Sequence, residues 1–153
     1  MAWEKPSSLL CIFADEIIEE LDHRFTTEYV DAERVGRAES LIWLWVLGAY
    51  EIVRTMDQAK KCFSERLNQE LRGLKKVLAN VRMPAAKMEK PGKKLPVTSN
   101  RSPSGWDPAN RDVLVNDPED NTNVSARWLL VEFDRVLCSI ERSDVLAHHE
   151  TSY

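Results

Sequence analysis

Glycine is scarce in this sequence, and its scarcity excludes the common phosphate-binding loops. Only 5 of the 153 residues are glycine, and they form neither a Gly-x-Gly-x-x-Gly nor a Gly-Lys-Ser/Thr motif. Both kinds of loop need glycine where the backbone approaches a phosphate group. We therefore expect no nucleotide held in such a loop, and we predict no cofactor.

Cysteines and long apolar runs are also few. Cys11, Cys62 and Cys138 are far apart and odd in number, unlike the cysteines of a secreted disulfide framework. The longest uncharged apolar run, residues 41–50, has 10 residues, whereas a membrane-spanning helix needs about 20. The first residues lack the basic and apolar stretches of a signal peptide. These absences predict a cytoplasmic protein that does not enter a membrane.

Apolar residues recur at three- and four-residue steps in four segments, which predicts a mainly α-helical protein. The predicted helices cover residues 8–25, 31–56, 58–81 and a last segment from 123 or 125 to about 142–147. Within the second helix, residues 41–50 are apolar all round, and such a helix is covered on every side. We expect it to be the central helix of a bundle, or one that also gives a face to another subunit.

Residues 83–123 differ in composition from the helical segments. Most of the seven prolines lie here, and Met83-Pro84 is predicted to end the third helix. Residues 95–98 and 112–115 are predicted to pair as a short hairpin, with Trp106 between them. We expect a single domain over residues 1–153. It is a helical bundle of about four main helices, with this long loop or short β-hairpin excursion between helices 3 and 4 and a tail at 148–153.

The net charge of −4 hides an uneven distribution. Residues 1–53 carry 4 basic and 11 acidic side chains, a net charge of −7. Residues 54–101 carry 13 basic and 4 acidic side chains (net +9), and residues 102–153 carry 4 and 10 (net −6). The basic middle predicts contact with an acidic surface, within the chain, across a dimer or on a partner such as nucleic acid. The predicted binding residues are Lys75, Lys76, Arg82, Lys87, Lys90, Lys93 and Lys94.

Two further groups of charged residues are predicted to be structural. Glu20 and His23 match the Glu-x-x-His spacing of di-iron helical bundles, but the chain has no second copy of that motif. We therefore predict no metal site. Glu51 and Arg54 lie three residues apart at the end of the apolar run. Because ionised groups are rarely buried without partners, we predict that these two form an ion pair.

Residues 142–148 contain an arginine followed by five residues and then a histidine. This spacing resembles the Arg-x4–6-His motif of the HEPN group of small helical ribonucleases. The resemblance covers seven residues and the helical character of the chain. In that group a further helix follows the motif, whereas here it lies at the C-terminal end of the sequence. The resemblance implies RNA cleavage with Arg142 and His148 as the catalytic residues.

Two functional hypotheses follow from the sequence. The preferred one is a non-enzymatic helical interaction module, a homo-oligomer or a binder of an acidic protein or nucleic acid through the basic central segment. Its Trp-rich central helix is then expected to serve packing or dimerisation. The alternative is a HEPN-like helical ribonuclease that uses Arg142 and His148.

Overall fold

The computed structural model describes residues 8–25, 30–87, 104–117 and 122–146 of the chain. The described residues form four α-helices and a three-stranded sheet, which lies between the third and fourth helices in sequence. The helices are α1 (Ser8–Arg24), α2 (Ala32–Gln58), α3 (Glu65–Lys87) and α4 (Ala126–Cys138). The strands are β1 (Ser104–Asp107), β2 (Asp112–Asp117) and β3 (Thr122–Ser125). The predicted mainly α-helical fold with a β excursion is confirmed.

The first two helices form a hairpin with α2 as the central element. Ile17 and Leu21 of α1 are fully buried in the core that α2 shares. An isolated bridge between Phe25 and Val30 joins the two ends of the connection. Asp31 is the N-cap of α2, where its side chain accepts a hydrogen bond from the Arg34 amide at 3.3 Å. The predicted start of this helix at Asp31 is therefore confirmed.

The buried side of α2 faces α1, α3 and α4. Its centre is Trp45, which is 1% exposed and packs edge-on against Phe133 of α4, with ring centroids 5.2 Å apart. Trp43 and Leu44, in contrast, are 41% and 50% exposed. Of the two expectations for the apolar run, complete cover by the chain's own residues is therefore wrong, and the one in which the helix also gives a face to another subunit stays a prediction.

The third helix begins later and ends later than predicted. It starts after Ser64, whose hydroxyl oxygen accepts a hydrogen bond from the Leu67 amide at 3.2 Å, and a 3₁₀ turn (Lys60–Cys62) precedes it. The helix continues through Pro84 to Lys87. Proline removes one helical hydrogen bond, but it does not always end a helix. The fully buried Leu78 and Val81 anchor the turn before this proline to the core.

The sheet is antiparallel with β2 at its centre. Val113 of β2 lies opposite Trp106 of β1, and Val115 lies opposite Val124 of β3. Val113 and Val115 are buried. Residues 112–115 are a strand as predicted, but the strand that pairs with them contains Trp106. The other half of the predicted hairpin, residues 95–98, lies outside the described residues.

The fourth helix begins as predicted but is shorter. Ser125 is its N-cap and accepts a hydrogen bond from the Trp128 amide at 3.0 Å. The helix ends at Cys138, and a 3₁₀ turn (Arg142–Asp144) follows. Hydrogen bonds from the Ser64 amide to the Asp144 carbonyl and from the Leu146 amide to the Cys62 carbonyl tie this turn to the start of α3. These contacts replace the predicted continuation of the helix.

The described part of the chain bears on the predictions about membrane-spanning helices and disulfide bonds. None of the helices in it combines the length and the apolar character that crossing a membrane requires. None of Cys11, Cys62 and Cys138 forms a disulfide bond with a described residue.

Candidate interaction surface

The predicted basic residues that the structure describes are mostly held in contacts within the chain. The Lys75 ammonium lies 2.5 Å from the Asp57 carboxylate. The Arg82 guanidinium stacks over the Tyr50 ring at 4.6 Å and lies 3.5 Å from the Glu51 carboxylate. Lys76 is exposed. The side chain of Lys87, and Lys90, Lys93 and Lys94, lie outside the described residues, so their predicted role stays a prediction.

Only one half of the predicted ribonuclease pair belongs to the described part of the chain. Arg142 opens the 3₁₀ turn that follows α4, and its side chain is exposed. His148 lies outside the described residues. The suggested catalytic pairing is therefore not tested and stays a prediction.

The acidic face of α1 has no metal-binding geometry. The His23 side chain is exposed and its Nδ1 atom lies 2.8 Å from the Glu19 carbonyl oxygen, a local contact along the helix. Among all described residues, no group of three or more His, Cys, Asp or Glu side chains is arranged to hold a metal ion. The predicted Glu51–Arg54 ion pair is confirmed at 2.7 Å.

A distinctive surface lies on the N-terminal half of α2. Gly36, Ser40, Trp43 and Leu47 follow one another at steps of four, three and four residues, so they share one side of the helix. We call these four residues the α2 seam. Leu44 flanks the seam, and together with Trp43 it exposes a large apolar area. Exposed apolar side chains scattered singly are normal, whereas adjacent ones mark interaction surfaces.

A recess of about 400 Å³ lies directly beside the seam. Trp43 and Leu44 stand at its rim, next to the polar Glu39 and Ser40. Its apolar floor combines residues of α2, α3 and β2. They are Ile42, Val46, Val81, Val113 and Val115. The volume is in the range of sites that take a side chain or a small ligand, and the floor selects for apolar groups.

One further aromatic side chain lies on the same side of the sheet as the recess. Trp106 of β1 is directly opposite Val113 in the antiparallel register, so both side chains point to one face. Trp106 is also substantially exposed. The apolar surface around the recess therefore includes residues from α2 and from the sheet.

Among the described residues, α3 does not extend along the N-terminal half of α2, because it is displaced along that helix. The contacts of Lys75 with Asp57 and of Arg82 with Glu51 fix an antiparallel pairing near the C-terminal end of α2. From Arg82, five more residues advance α3 by only about 7.5 Å. The first half of α3 instead extends past the end of α2 and meets α4, where Glu70 lies 2.7 Å from Arg135.

The other neighbour of α2 lies on a different side. A Cβ atom added to Gly48 would lie 3.2 Å from Cδ2 of Leu10, which shows close packing between α1 and α2 there. A Cβ atom added to Gly36, in contrast, meets no described atom within 4 Å. Packing among the described residues therefore explains the glycine at position 48 but not the one at position 36.

Two groups of charged side chains with shifted pKa values lie away from the seam. The Arg66 guanidinium lowers the pKa of the Asp144 carboxyl well below its usual range, and hydrogen bonds from the Ser64 hydroxyl and the Glu141 amide lower it further. The Arg135 guanidinium lowers the pKa of both Glu70 and Glu132. These groups hold α3 to α4 and to the final 3₁₀ turn. None of them lines the recess.

This surface is difficult to predict from the sequence, because a run that is apolar all round does not reveal which side is exposed. A usable signal was the order of residues in the seam, two small followed by two large.

Comparisons with known protein families, with curated proteins and with solved structures find no match to this chain.

Proposed function

We propose that this protein is a non-enzymatic interaction module that self-associates through the N-terminal half of α2. The observation that carries this proposal is the exposure of Trp43 and Leu44 at the rim of an apolar recess of about 400 Å³. A protruding group and a recess on the same surface are what two identical copies need to bind each other through a self-complementary interface.

The cost of leaving such a surface in water supports association. Removing apolar area from water contributes about 25 cal/mol per Å², and tryptophan is enriched among the residues that dominate binding energy at interfaces. The sequence already allowed the apolar helix to give a face to another subunit. The exposed side of α2 is consistent with that alternative.

An acidic partner receives less support from the described residues. Lys75 and Arg82 would have to leave Asp57 and Glu51 before they could bind a phosphate or a carboxylate of a partner. Lys76 alone gives a weak attraction, since exposed ion pairs contribute about 0–1 kcal/mol. Self-association through apolar groups does not require breaking these contacts.

Sedimentation velocity over a concentration series tests the proposal. The wild-type chain is expected to form a dimer, and Trp43→Lys is expected to raise the dimer Kd by more than about tenfold, equivalent to about 1.4 kcal/mol. The matched control is Trp128→Lys, because Trp128 of α4 is also exposed (45%) and does not line the recess.

Trp128→Lys should leave the Kd unchanged. A wild-type chain that stays monomeric at every concentration would overturn the proposal, and so would a Trp43→Lys variant with an unaltered Kd. Circular dichroism of each variant establishes that the helices are intact.

A further inference from the structure

We infer that the two copies pair antiparallel along the α2 seam, with the partner's Leu47 over Gly36 and the partner's Trp43 over Ser40. This inference rests on the self-association proposed above and specifies its geometry. It starts from the order of residues in the seam. The two small residues come first and the two large ones follow.

A two-fold axis turns this order into complementarity. When two identical helices run antiparallel and are centred between residues 41 and 42, position 36 faces position 47 and position 40 faces position 43. Each pair of facing positions then combines one large side chain with one small residue, and the two-fold axis repeats each pair. A parallel arrangement would place Gly36 against glycine and Trp43 against tryptophan, which leaves gaps at one end and crowding at the other.

The surroundings of Gly36 fit this arrangement. Glycine inside a helix costs about 1 kcal/mol relative to alanine, and no described atom lies within 4 Å of a Cβ placed there. Nothing within the described part of one chain therefore requires this glycine. The partner's Leu47 gives it a role, because it fills the space that the absent side chain leaves.

The recess beside the seam receives the indole of the partner's Trp43. Gly36 and Ser40 line its edge, and Val81, Val113 and Val115 form part of its floor. An indole that crosses Ser40 from the partner would enter this apolar space. Each copy offers both the indole and the recess, so the contact forms twice.

The seam also continues a surface that is already used inside the chain. The same spacing leads from Leu47 to Tyr50, Arg54 and Asp57. The described structure covers Tyr50 with Arg82 and Asp57 with Lys75 of α3. The partner's α2 would cover the part of the seam on the N-terminal side of Leu47.

A size exchange tests the pairing. Gly36→Leu should crowd the partner's Leu47, and Leu47→Ala should leave a gap, so each variant alone is expected to weaken the dimer at least about fivefold. A one-to-one mixture of the two variants should recover a Kd within about threefold of wild type. In the mixed dimer, the leucine introduced at position 36 meets the alanine introduced at position 47, while the second contact keeps its native Gly36 and Leu47.

The double variant Gly36→Leu/Leu47→Ala should recover the wild-type Kd for the same reason. The control is Gly73→Leu, since a Cβ at Gly73 of α3 also meets nothing within 4 Å and this residue is outside the seam. It should not change the Kd. Sedimentation velocity gives all Kd values, and thermal unfolding establishes that each variant folds.

The outcomes separate this inference from the proposal on which it rests. If the wild type dimerises and Trp43→Lys disrupts the dimer, self-association through α2 stands. If neither the mixture nor the double variant then recovers the Kd, the antiparallel pairing is wrong. Recovery in both supports it, and a monomeric wild type overturns both claims together.

Discussion

The two halves of α2 differ in what covers them, although both are rich in apolar residues. In the C-terminal half Val53 is buried, α3 lies alongside, and Arg82 stacks on Tyr50. In the N-terminal half Trp43 and Leu44 remain exposed. The difference shows that composition does not decide whether a helix face is buried. The lengths and offsets of neighbouring helices decide it.

The largest expected effect on stability comes from comparing Trp43 with Trp45. These two residues are two positions apart in α2, but Trp43 is exposed and Trp45 is buried. Trp45→Ala is expected to lower the free energy of unfolding by about 3–5 kcal/mol, since it leaves a cavity at the centre of the core. Trp43→Ala should lower it by less than about 1.5 kcal/mol in the monomer, because full burial of a large apolar side chain contributes about 1.5–3 kcal/mol.

Urea unfolding at a protein concentration well below the dimer Kd measures both values. The Trp45→Ala substitution also removes the edge-on contact with Phe133. Equal losses for the two variants would contradict the assignment of opposite environments to these two residues.

A smaller effect on stability is expected from Asp144, whose hydrogen bonds help to keep α3 in position along the C-terminal half of α2. The Asp144 carboxylate accepts hydrogen bonds from Arg66 and Ser64 at the start of α3, and its pKa is lower in the folded chain than the ordinary aspartate value of about 3.9. Its stabilisation is therefore present above about pH 4 and is lost as the pH falls toward the folded-state pKa. Asp144→Asn should lower the Tm at pH 7, by less than Trp45→Ala does.

The difference in Tm between wild type and Asp144→Asn should shrink as the pH is lowered below about 4. Thermal unfolding from pH 7 to pH 2 measures it. Glu70 and Glu132, whose pKa values are also lowered, titrate in both proteins, so the difference isolates Asp144. A constant gap over this range would contradict the role given to its ionised form.

The sequence was sufficient for the helices whose caps and periodicity are local. Asp31, and Ser125 as one of two predicted starts, are the caps in the structure, because a side chain that accepts from the first helical turn needs no tertiary contact. The ion pair of Glu51 with Arg54 was also predictable, since residues three apart on a helix are neighbours.

The parts that could not be predicted depend on contacts distant in sequence. α3 begins at Glu65 because Ser64 caps it and bonds to Asp144, which is 80 residues away. The exposure of Trp43 results from the offset of α3, set by Lys75 and Arg82. No periodicity within α2 contains that information.

The central claim is that the N-terminal half of α2 is an association surface, and fluorine NMR of 5-fluorotryptophan-labelled protein tests it most directly. The Trp43→Phe and Trp128→Phe variants assign the two resonances. On dilution, the resonance of Trp43 is expected to shift with the monomer–dimer equilibrium, while that of Trp128 stays constant. A Trp43 resonance that does not change over a range of concentrations in which the protein dissociates would contradict the claim.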